Sequence, residues 1–378
     1  MVERKREPPG LLTIAREWGR IGCLGFGGPP AHIALLRQLC VARREWLAPR
    51  EFEDAIAACN LLPGPASTQL AIFCAWRLRG RAGALVGGAC FILPGLILVL
   101  ALAALFLAGS PPRWVKGAGA GAGAAVAAVA VQAGSSLLPD SWRVARSQAR
   151  WLAYLAAGGA AAALIGPWLV LVLVGCGVVE LAARRVGSST LPLLAAASGA
   201  SGGLLALAWV AFKVGALSYG GGFVIIPLMQ GDAVNRYHWL TDAQFLNAVA
   251  LGQVTPGPVV HTVAAVGYGA AGLGGGLLAA LVAFSPSFAF VLLGGAYFDR
   301  LRRDARAQAF FNGAGPAAVG AILGTAIPLT RALSESWQYG VLAGAALLLF
   351  ALRRGVVLSL LLAGATGVVI AVAGGSVP

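Results

Sequence analysis

The feature that most constrains the fold of this chain is a set of residues that occurs twice, 193 residues apart. Phe26-Gly27-Gly28 and Pro63-Gly64-Pro65 in the first half correspond to Tyr219-Gly220-Gly221 and Pro256-Gly257-Pro258 in the second. The register holds without a gap, so each half carries a Gly-rich break and a Pro-Gly-Pro break at matching places. Duplicated halves with breaks in apolar sequence are typical of secondary transporters whose site lies between two repeats.

The composition indicates that these breaks lie within a membrane protein. Hydrophobic residues make up 58% of the 378 residues, and charged residues only 11%. Apolar runs at residues 82–109, 117–138, 276–298 and 355–373 exceed the roughly 18 residues that mark a membrane-spanning helix. The sequence therefore predicts an all-α polytopic membrane protein with broken helices. In each half a helix is expected to begin near Phe52 or Phe245, break at the Pro-Gly-Pro segment and resume.

The basic residues indicate how the chain lies in the membrane rather than a nucleic-acid partner. The formal net charge is +14, but the arginines form short groups at the ends of apolar runs instead of a continuous basic surface. Such groups are typical of loops retained on the cytoplasmic side, where they are attracted to anionic lipids. We therefore expect the lipid bilayer, and no nucleic acid, as a partner. The groups lie at residues 77–81, 143–150, 184–185, 300–306 and 353–354.

The same loop charges indicate that the two halves are inverted relative to each other. The loop before the long apolar run is basic in the first half, at residues 77–81, and uncharged in the second, at residues 272–276. In the second half the arginines follow that run instead. We therefore divide the chain into an N-terminal repeat at residues 1–186, a linker at 187–203 and an inverted C-terminal repeat at 204–378. The number of full spans and the side of the N-terminus stay open.

The breaks are candidate anion sites because of the way proline starts a helix. Proline suits the first turn, so Pro29, Pro65 and Pro258 are each expected to open a half-helix within the membrane. The unpaired N–H groups at such an end, together with the helix dipole, carry about half a positive charge and attract anions. The alternative is that the breaks are kinks that only shape helix packing. Breaks at matching places in both halves favour a binding site.

Two basic residues at matching positions are expected to supply further positive charge. Arg20 lies in the first apolar helix before Phe26, and Lys213 lies at the corresponding position before Tyr219. An ionised side chain within a membrane segment costs at least ~2.5 kcal/mol, which makes such a residue a functional candidate. We expect this pair to face the interior and bind an anion. The alternative is that both side chains extend to the membrane interface.

Polar side chains cluster around the Pro-Gly-Pro segments of both halves, where neutral donors can replace the water around an oxyanion. Any one of them could instead cap its own helix. His32 and His261 are candidates for proton coupling, because histidine titrates near neutral pH. The candidate substrate-binding residues are Arg20, Phe26, Gly27, Gly28, Pro29, Asn60, Pro63, Gly64, Pro65, Ser67 and Thr68 in the first half, and Lys213, Tyr219, Gly220, Gly221, Gly222, Gln253, Thr255, Pro256, Gly257, Pro258 and His261 in the second.

At its breaks the chain resembles the chromate ion transporter family, in the fused two-domain form. The segments that carry the resemblance are Gly25-Phe26-Gly27-Gly28-Pro29, Leu62-Pro63-Gly64-Pro65, Ser218-Tyr219-Gly220-Gly221-Gly222 and Thr255-Pro256-Gly257-Pro258. The resemblance covers both halves and implies an inner-membrane transporter that exports chromate and confers chromate resistance. It also implies that the membrane potential or the proton gradient drives transport. One departure is Pro29, which stands where the second half has Gly222.

Together these observations predict a secondary active transporter that exports chromate by alternating access, with no cofactor and no metal. A sulfate or other oxyanion importer or exchanger is the first alternative, because a site that recognises shape and charge discriminates poorly between similar ions. A passive anion channel and an intramembrane enzyme are weaker alternatives, and the sequence lacks nucleotide-binding, zinc-binding and nucleophile motifs for an enzyme. A homodimer is one of the oligomeric states left open.

Overall fold

The computed structural model describes residues 9–61, 64–107, 109–164, 168–184, 203–218, 224–294 and 304–378, without the side chains of Asn60 and Leu61. All regular elements in these ranges are helical. Four helices are long and apolar enough to cross a membrane: Ala66–Phe106, Arg113–Arg143, Val259–Gly294 and Ala305–Arg331. The chain is an all-α polytopic membrane protein, which confirms the fold class expected from the sequence.

The helices of the two halves follow the same order. The first half contains α1 (Leu11–Leu24), α2 (Pro29–Arg37, continued by a π-helical turn, Gln38–Arg43), α3 (Pro49–Leu61), α4 (Ala66–Phe106), α5 (Arg113–Arg143), α6 (Gln148–Leu164) and α7 (Leu169–Ala183). The second contains α8 (Leu204–Leu217), α9 (Ile225–Gln230, continued by a π-helical turn, Gly231–Arg236), α10 (Asp242–Val254), α11 (Thr262–Gly294), α12 (Ala305–Gly324), α13 (Ala326–Arg331), α14 (Ser336–Ala346) and α15 (Val356–Val372).

The helix bounds recur at the spacing of the sequence pattern. Helices α1 and α8 begin 193 residues apart and have the same length, and so do the two π-helical turns and the pair α3 and α10. The spacing changes to 192 residues at a kink in the following helix, which falls at Arg79-Gly80 in α4 and at Ala271-Gly272 in α11. The spacing changes because the second half has one residue fewer than the first between its Pro-Gly-Pro segment and its kink.

The kink in α4 turns the chain back on itself. A straight helix of 41 residues would be about 60 Å long, twice the roughly 30 Å of a bilayer core. Gly80 has φ 59°, a left-handed conformation that suits glycine, and it separates residues 66–78 from residues 81–106. A Cβ on Gly83 would lie 2.2 Å from the carbonyl oxygen of Ala75, and one on Gly88 would lie 2.9 Å from Ile72 Cγ1. The two segments therefore run antiparallel in close contact.

The Pro-Gly-Pro segment of the first half lies at the tip of a second hairpin, made by α3 and residues 66–78. Arg77, near the end of the returning arm, forms an ion pair with Glu51, near the start of α3. The helix that was expected to break and resume therefore resumes in the opposite direction. The second half has a matching hairpin, closed by an apolar contact instead of an ion pair. A Cβ on Gly269, near the end of the returning arm, would lie 2.2 Å from Cδ2 of Leu240, just before α10.

The Gly-rich break lies at the tip of a hairpin too. Arg44, after the π-helical turn, donates to Glu17 of α1 at 2.6 Å, and the rings of Trp18 and Trp46 stack with centroids 6.4 Å apart. Each half thus begins with two contacting arms, here called the Gly hairpin (residues 11–43 in the first half, and residues 204–218 with 224–236 in the second, joined by the Lys213–Asp232 ion pair). A Pro-Gly-Pro hairpin follows (residues 49–78 and 242–270). Among the described residues, the breaks at Gly25–Gly28, Gly64-Pro65 and Pro256–Pro258 lie at hairpin tips.

The two halves interlock through their long helices. Helix α4 packs against α11, and close contacts between Gly88 and Phe288 and between Leu100 and Gly276 make the pair antiparallel. Helix α5 packs against α14 and α15 of the second half, and α12 packs against α6 and α7 of the first. Glycines let these backbones approach closely: a Cβ on Gly121 would lie 2.1 Å from the oxygen of Ala363.

Candidate functional site

The breaks of the first half open onto a cavity of about 740 Å³. Gly27, Pro29 and Pro30 line it from the Gly hairpin, and Gly64 and Ala66 line it from the Pro-Gly-Pro hairpin. The facing wall belongs to the long Gly-rich helices and includes the polar side chains of Gln132, Ser136 and Asn312. A volume of this size lies within the range of ligand-binding pockets and holds a small anion together with water.

The cavity has a buried end and an exposed end. Gly64 and Ala133 at one end are buried, whereas Asp140, Val144 and Arg354 at the other are exposed. Arg354 is the cation and Asp140 the anion among the lining residues. The cavity therefore extends along α5 from the exposed Arg354 to the hairpin tips.

The N-terminus of residues 66–78 is a candidate anion-binding element at the buried end. Its first turn follows Pro65 without a side-chain cap among the described residues. The N–H groups of Thr68 and Gln69 donate to the Pro65 carbonyl at 3.0 Å, and those of Ala66 and Ser67 have no hydrogen-bond acceptor among the described residues. Because Ala66 lines the cavity, these donors and the positive end of the helix dipole lie at its wall.

The N-terminus of α2 is a weaker element than the sequence suggested. It begins at Pro29-Pro30, after Gly28, and both prolines line the cavity. Neither proline has an N–H group, and the N–H of His32 donates to the Gly28 carbonyl at 3.2 Å. Ala31 therefore supplies the one remaining free donor of this turn.

The Pro-Gly-Pro tip of the second half is closed. Pro256, Gly257 and Pro258 are buried, and the N–H of Gly257 donates to the carbonyl oxygen of Gly25 at 2.9 Å. The carbonyl oxygen of Pro256 lies 2.1 Å from where a Cβ on Gly95 would be. The second tip therefore packs against α1 and α4 of the first half. Tyr219, Gly220, Gly221, Gly222 and Pro63 lie outside the described residues, as does the side chain of Asn60.

The two histidines flank this closed contact. His32 Nε2 donates to the Gly25 carbonyl at 2.9 Å, and its Nδ1 accepts from the Ser67 hydroxyl at 3.3 Å. These partners satisfy a neutral imidazole and assign its tautomer from the hydrogen-bond network. His261 contacts Gly257 and is fully buried. The carbonyls of Ile92 and Pro256 face its ring, but neither ring nitrogen has a hydrogen bond of good geometry within the described part of the chain.

The remaining polar candidates are buried around the same tips. The hydroxyl of Thr68 and the Nε2 of Gln253 have no hydrogen-bond partner among the described residues. Thr255 donates to the Gly252 carbonyl at 3.4 Å. Phe26, by contrast, is 44% exposed at the tip of the first Gly hairpin.

The basic pair Arg20 and Lys213 differs from the expectation. Arg20 is an exposed residue of α1 and does not line the cavity, which differs from the interior position expected for it. Lys213 is mostly buried but forms an ion pair with Asp232, whose side chain is completely buried. Its charge is therefore already balanced inside the protein.

Sequence reasoning missed the residues that complete the cavity and the partner of Lys213. Gln132, Ser136 and Asn312 interrupt Gly/Ala-rich helices, which is a signal that the sequence does contain. Arg354 was assigned only to a cytoplasmic loop, because its position at the cavity mouth follows from the packing of α15 on α5. Asp232 lies in the π-helical turn of the second half, and nothing in the sequence pairs it with Lys213.

Comparison with known proteins adds an independent observation. The family model described as chromate transporter matches residues 12–181 and 205–368. The chain is 31% identical over 335 residues to the chromate transport protein of Cupriavidus metallidurans, covering 85% of this chain and 83% of the relative. It is 32% identical over 344 residues to the chromate transport protein of Pseudomonas aeruginosa, covering 84% and 80%. A probable chromate transport protein of Synechococcus elongatus is 28% identical, covering 87% and 91%. No solved structure matches the chain.

Proposed function

Because the chain belongs to the chromate transporter family, we propose that it is a secondary active transporter that exports chromate across the inner membrane by alternating access. The observation that carries the proposal is the cavity, which runs from an exposed arginine to the uncapped N-terminus of residues 66–78. This path offers positive potential to an anion at both ends. The similarity to chromate transport proteins gives the substrate class.

Chromate is a tetrahedral dianion, and the buried end of the cavity suits such an ion. The N–H groups of Ala66 and Ser67 donate to its oxygens, and the helix dipole stabilises its charge by about 0.3–2 kcal/mol. Gln132 and Asn312 supply amide donors from the facing helices. The carboxylate among the lining residues, Asp140, lies at the exposed end.

The cavity reaches only one of the two matching tips, which supports alternating access. Both tips are buried against the opposite half: a Cβ on Gly64 would lie 3.3 Å from the Gly215 carbonyl oxygen, and the N–H of Gly257 donates to the Gly25 carbonyl at 2.9 Å. Gly64 lines the cavity and Gly257 does not, as is expected of a transporter open to one side. The antiparallel packing of α4 and α11 supports the inverted relation that this exchange requires. In the opposite state the cavity reaches the Gly257 tip instead of the Gly64 tip.

The loop charges support a cavity that opens toward the cytoplasm. Arg354 lies at its mouth and Arg143 lies near the end of α5, and both belong to basic groups that the sequence assigns to the cytoplasm. The described state is therefore proposed to be open to the cytoplasm. Export of a dianion from this state is favoured by a membrane potential that is negative inside, by about 2.3 kcal/mol per charge per 100 mV.

Inside-out vesicles test the proposal, because export becomes uptake into the vesicle lumen. A potassium diffusion potential that makes the lumen positive is expected to drive labelled chromate uptake above that of vesicles without the protein. Uptake that occurs only in right-side-out vesicles would instead identify an importer. Unlabelled chromate in the lumen is expected to accelerate entry of the label, since a carrier exchanges its substrate and a passive channel does not.

Sulfate is the second candidate substrate, because the donors at the cavity wall are neutral and recognise shape and charge. Sulfate and chromate are both tetrahedral dianions, and sites of this kind discriminate weakly between similar ions. Excess sulfate is expected to compete with labelled chromate. An absence of competition would mean that the site distinguishes the two ions by size.

A further inference from the structure

The Gly hairpin of the second half contains a buried ion pair. Lys213 on α8 contacts Asp232 on the π-helical turn of the returning arm. The Asp232 side chain is completely buried, and that of Lys213 is 13% exposed. The second carboxylate oxygen, Oδ1, lies 4.0 Å from Arg236 Nη1 and has no hydrogen bond within the described part of the chain.

The matching hairpin of the first half folds without a buried carboxylate at this position. Leu39 stands there, 5% exposed, so an apolar side chain fills the corresponding space. The first hairpin has its own ion pair with the charges reversed, Glu17 on the entering helix and Arg44 on the returning arm. The Arg44 side chain is 41% exposed, so that pair reaches the surface.

Burial of the Lys213–Asp232 pair is not explained by stability. Replacing a buried ion pair with well-packed apolar residues is often neutral or stabilising by about 1–4 kcal/mol. Leu39 shows that the fold accepts such a residue. The pair is held by a π-helical turn, a distortion that occurs frequently at functional sites. These observations indicate a role for the charge itself.

Few other charges act on the pair. Lys213 is the charged residue of α8, and α9 has none. Helix α10, which also packs against the turn, carries Asp242 at its exposed first position. The π-helical turn itself adds Arg236. A proton gained by Asp232 therefore leaves Lys213 as an unbalanced positive charge on α8, two residues before Gly215, whose carbonyl oxygen lies 3.3 Å from where a Cβ on Gly64 would be.

We propose that Asp232 is the proton-binding group of transport, and that Lys213 exchanges its carboxylate for the substrate oxyanion. This proposal rests on the proposed function. The balance is one proton taken from water by the Asp232 carboxylate for each anion that Lys213 engages, and no covalent bond changes. A dianion that entered without the proton would face a neutral pair, whereas with the proton it meets a cation. By linkage, anion binding favours proton binding and a low pH favours anion binding.

Infrared difference spectroscopy of the purified full-length protein tests the protonation directly. Acidification is expected to produce the C=O band of a buried protonated carboxyl group in the wild-type protein. Asp232→Asn should remove that band, whereas Glu17→Gln, the matched variant of the first-half pair, whose Arg44 partner is exposed, should keep it. A band that persists in Asp232→Asn overturns the proposal.

Calorimetric titration with sulfate, which remains a dianion over this pH range, tests the coupling. Wild-type affinity is expected to rise up to about tenfold for each pH unit of acidification, the limit for one linked proton. Asp232→Asn should bind tightly without pH dependence, and Glu17→Gln should keep the wild-type slope. A wild-type slope in Asp232→Asn contradicts the proposal.

The double variant Lys213→Met/Asp232→Asn allows for misfolding of the single variant, because it leaves no unbalanced charge. It is expected to bind sulfate at least about tenfold more weakly than the wild type at low pH, without pH dependence. A retained slope in this variant also overturns the proposal. If the wild-type protein binds neither sulfate nor chromate, the proposed function fails, while the infrared band still decides whether Asp232 takes up a proton.

Discussion

A carboxylate introduced at Ala66 is expected to block transport without weakening the fold. Ala66 is the first residue of the segment 66–78 and lines the buried end of the cavity. In Ala66→Asp the new charge occupies the position where the substrate is proposed to bind. Carboxylates at the first turn of a helix stabilise it by about 0.3–1 kcal/mol, so the protein should fold at least as well as the wild type.

The magnitude follows from the repulsion between the carboxylate and a dianion. At a separation of about 6 Å the two repel by ~1.4 kcal/mol in bulk water and by ~5.5 kcal/mol at an effective dielectric constant of 20. The cavity is open to solvent at one end, so the lower part of this interval applies. An unfavourable free energy of about 1.4–3 kcal/mol corresponds to a tenfold to roughly hundredfold loss of affinity.

Two control variants separate the effect of charge from the effects of size and helix position. Ala66→Asn has nearly the same shape without the charge, and chromate uptake into inside-out vesicles should stay within a few-fold of the wild type. Ala305→Asp puts the same carboxylate at the first turn of α12, which begins at an exposed position outside the cavity lining, and should leave uptake unchanged. Equal uptake by Ala66→Asp and Ala66→Asn, at matched amounts of protein in the membrane, would refute the assignment of the site.

Two further predictions concern the cavity mouth and the interlocked helices. Arg354→Gln should raise the KM for chromate about fivefold at low ionic strength, because a cation about 8 Å from a dianion in water attracts it by ~1 kcal/mol. Added salt should reduce this increase in KM, because salt screens the attraction. Arg353→Gln, which lies outside the cavity lining, should leave the KM unchanged. Gly215→Ala should lower the apparent melting temperature in detergent, because its Cβ would lie 2.0 Å from the Ala283 carbonyl oxygen and overpacking costs about 1–3 kcal/mol. Gly340→Ala, with open space around it, is the control, and equal melting temperatures for the two variants would contradict the packing argument.

The repeated pattern predicted where the apolar helices are interrupted but not the path of the chain. Breaks at Gly64 and Gly257 are visible in the sequence, because glycine and proline interrupt apolar runs there. That the chain reverses at these breaks depends on distant contacts such as that between Arg77 and Glu51. A local pattern contains no information on such contacts, so a broken straight helix and a hairpin look alike from sequence.

The candidate site was predicted better by its backbone than by its charges. The hairpin tips at Gly27, Pro29 and Gly64 do line the cavity, as an argument from uncapped helix ends requires. Arg20 and Lys213 were predicted to bind the anion because a charged side chain within an apolar run costs free energy. That argument does not tell whether such a side chain binds a substrate, lies on an exposed helix face or forms an internal ion pair. A helix face is set by tertiary packing, and the Asp232 partner lies in another element.

The absence of an unbalanced cation from the buried lining described here agrees with what a transporter of dianions requires. A full positive charge 4 Å from a dianion would attract it by ~8 kcal/mol at an effective dielectric constant of 20, and half a charge by ~4 kcal/mol, before the cost of removing water. Release into the opposite compartment must reverse whatever attraction the site provides, so a fixed buried cation would slow the cycle. A helix end at Ala66 together with neutral amides gives the weaker attraction. The full charges then act where they can be switched or screened: Arg354 at the exposed mouth, and Lys213 only while a proton holds Asp232 neutral.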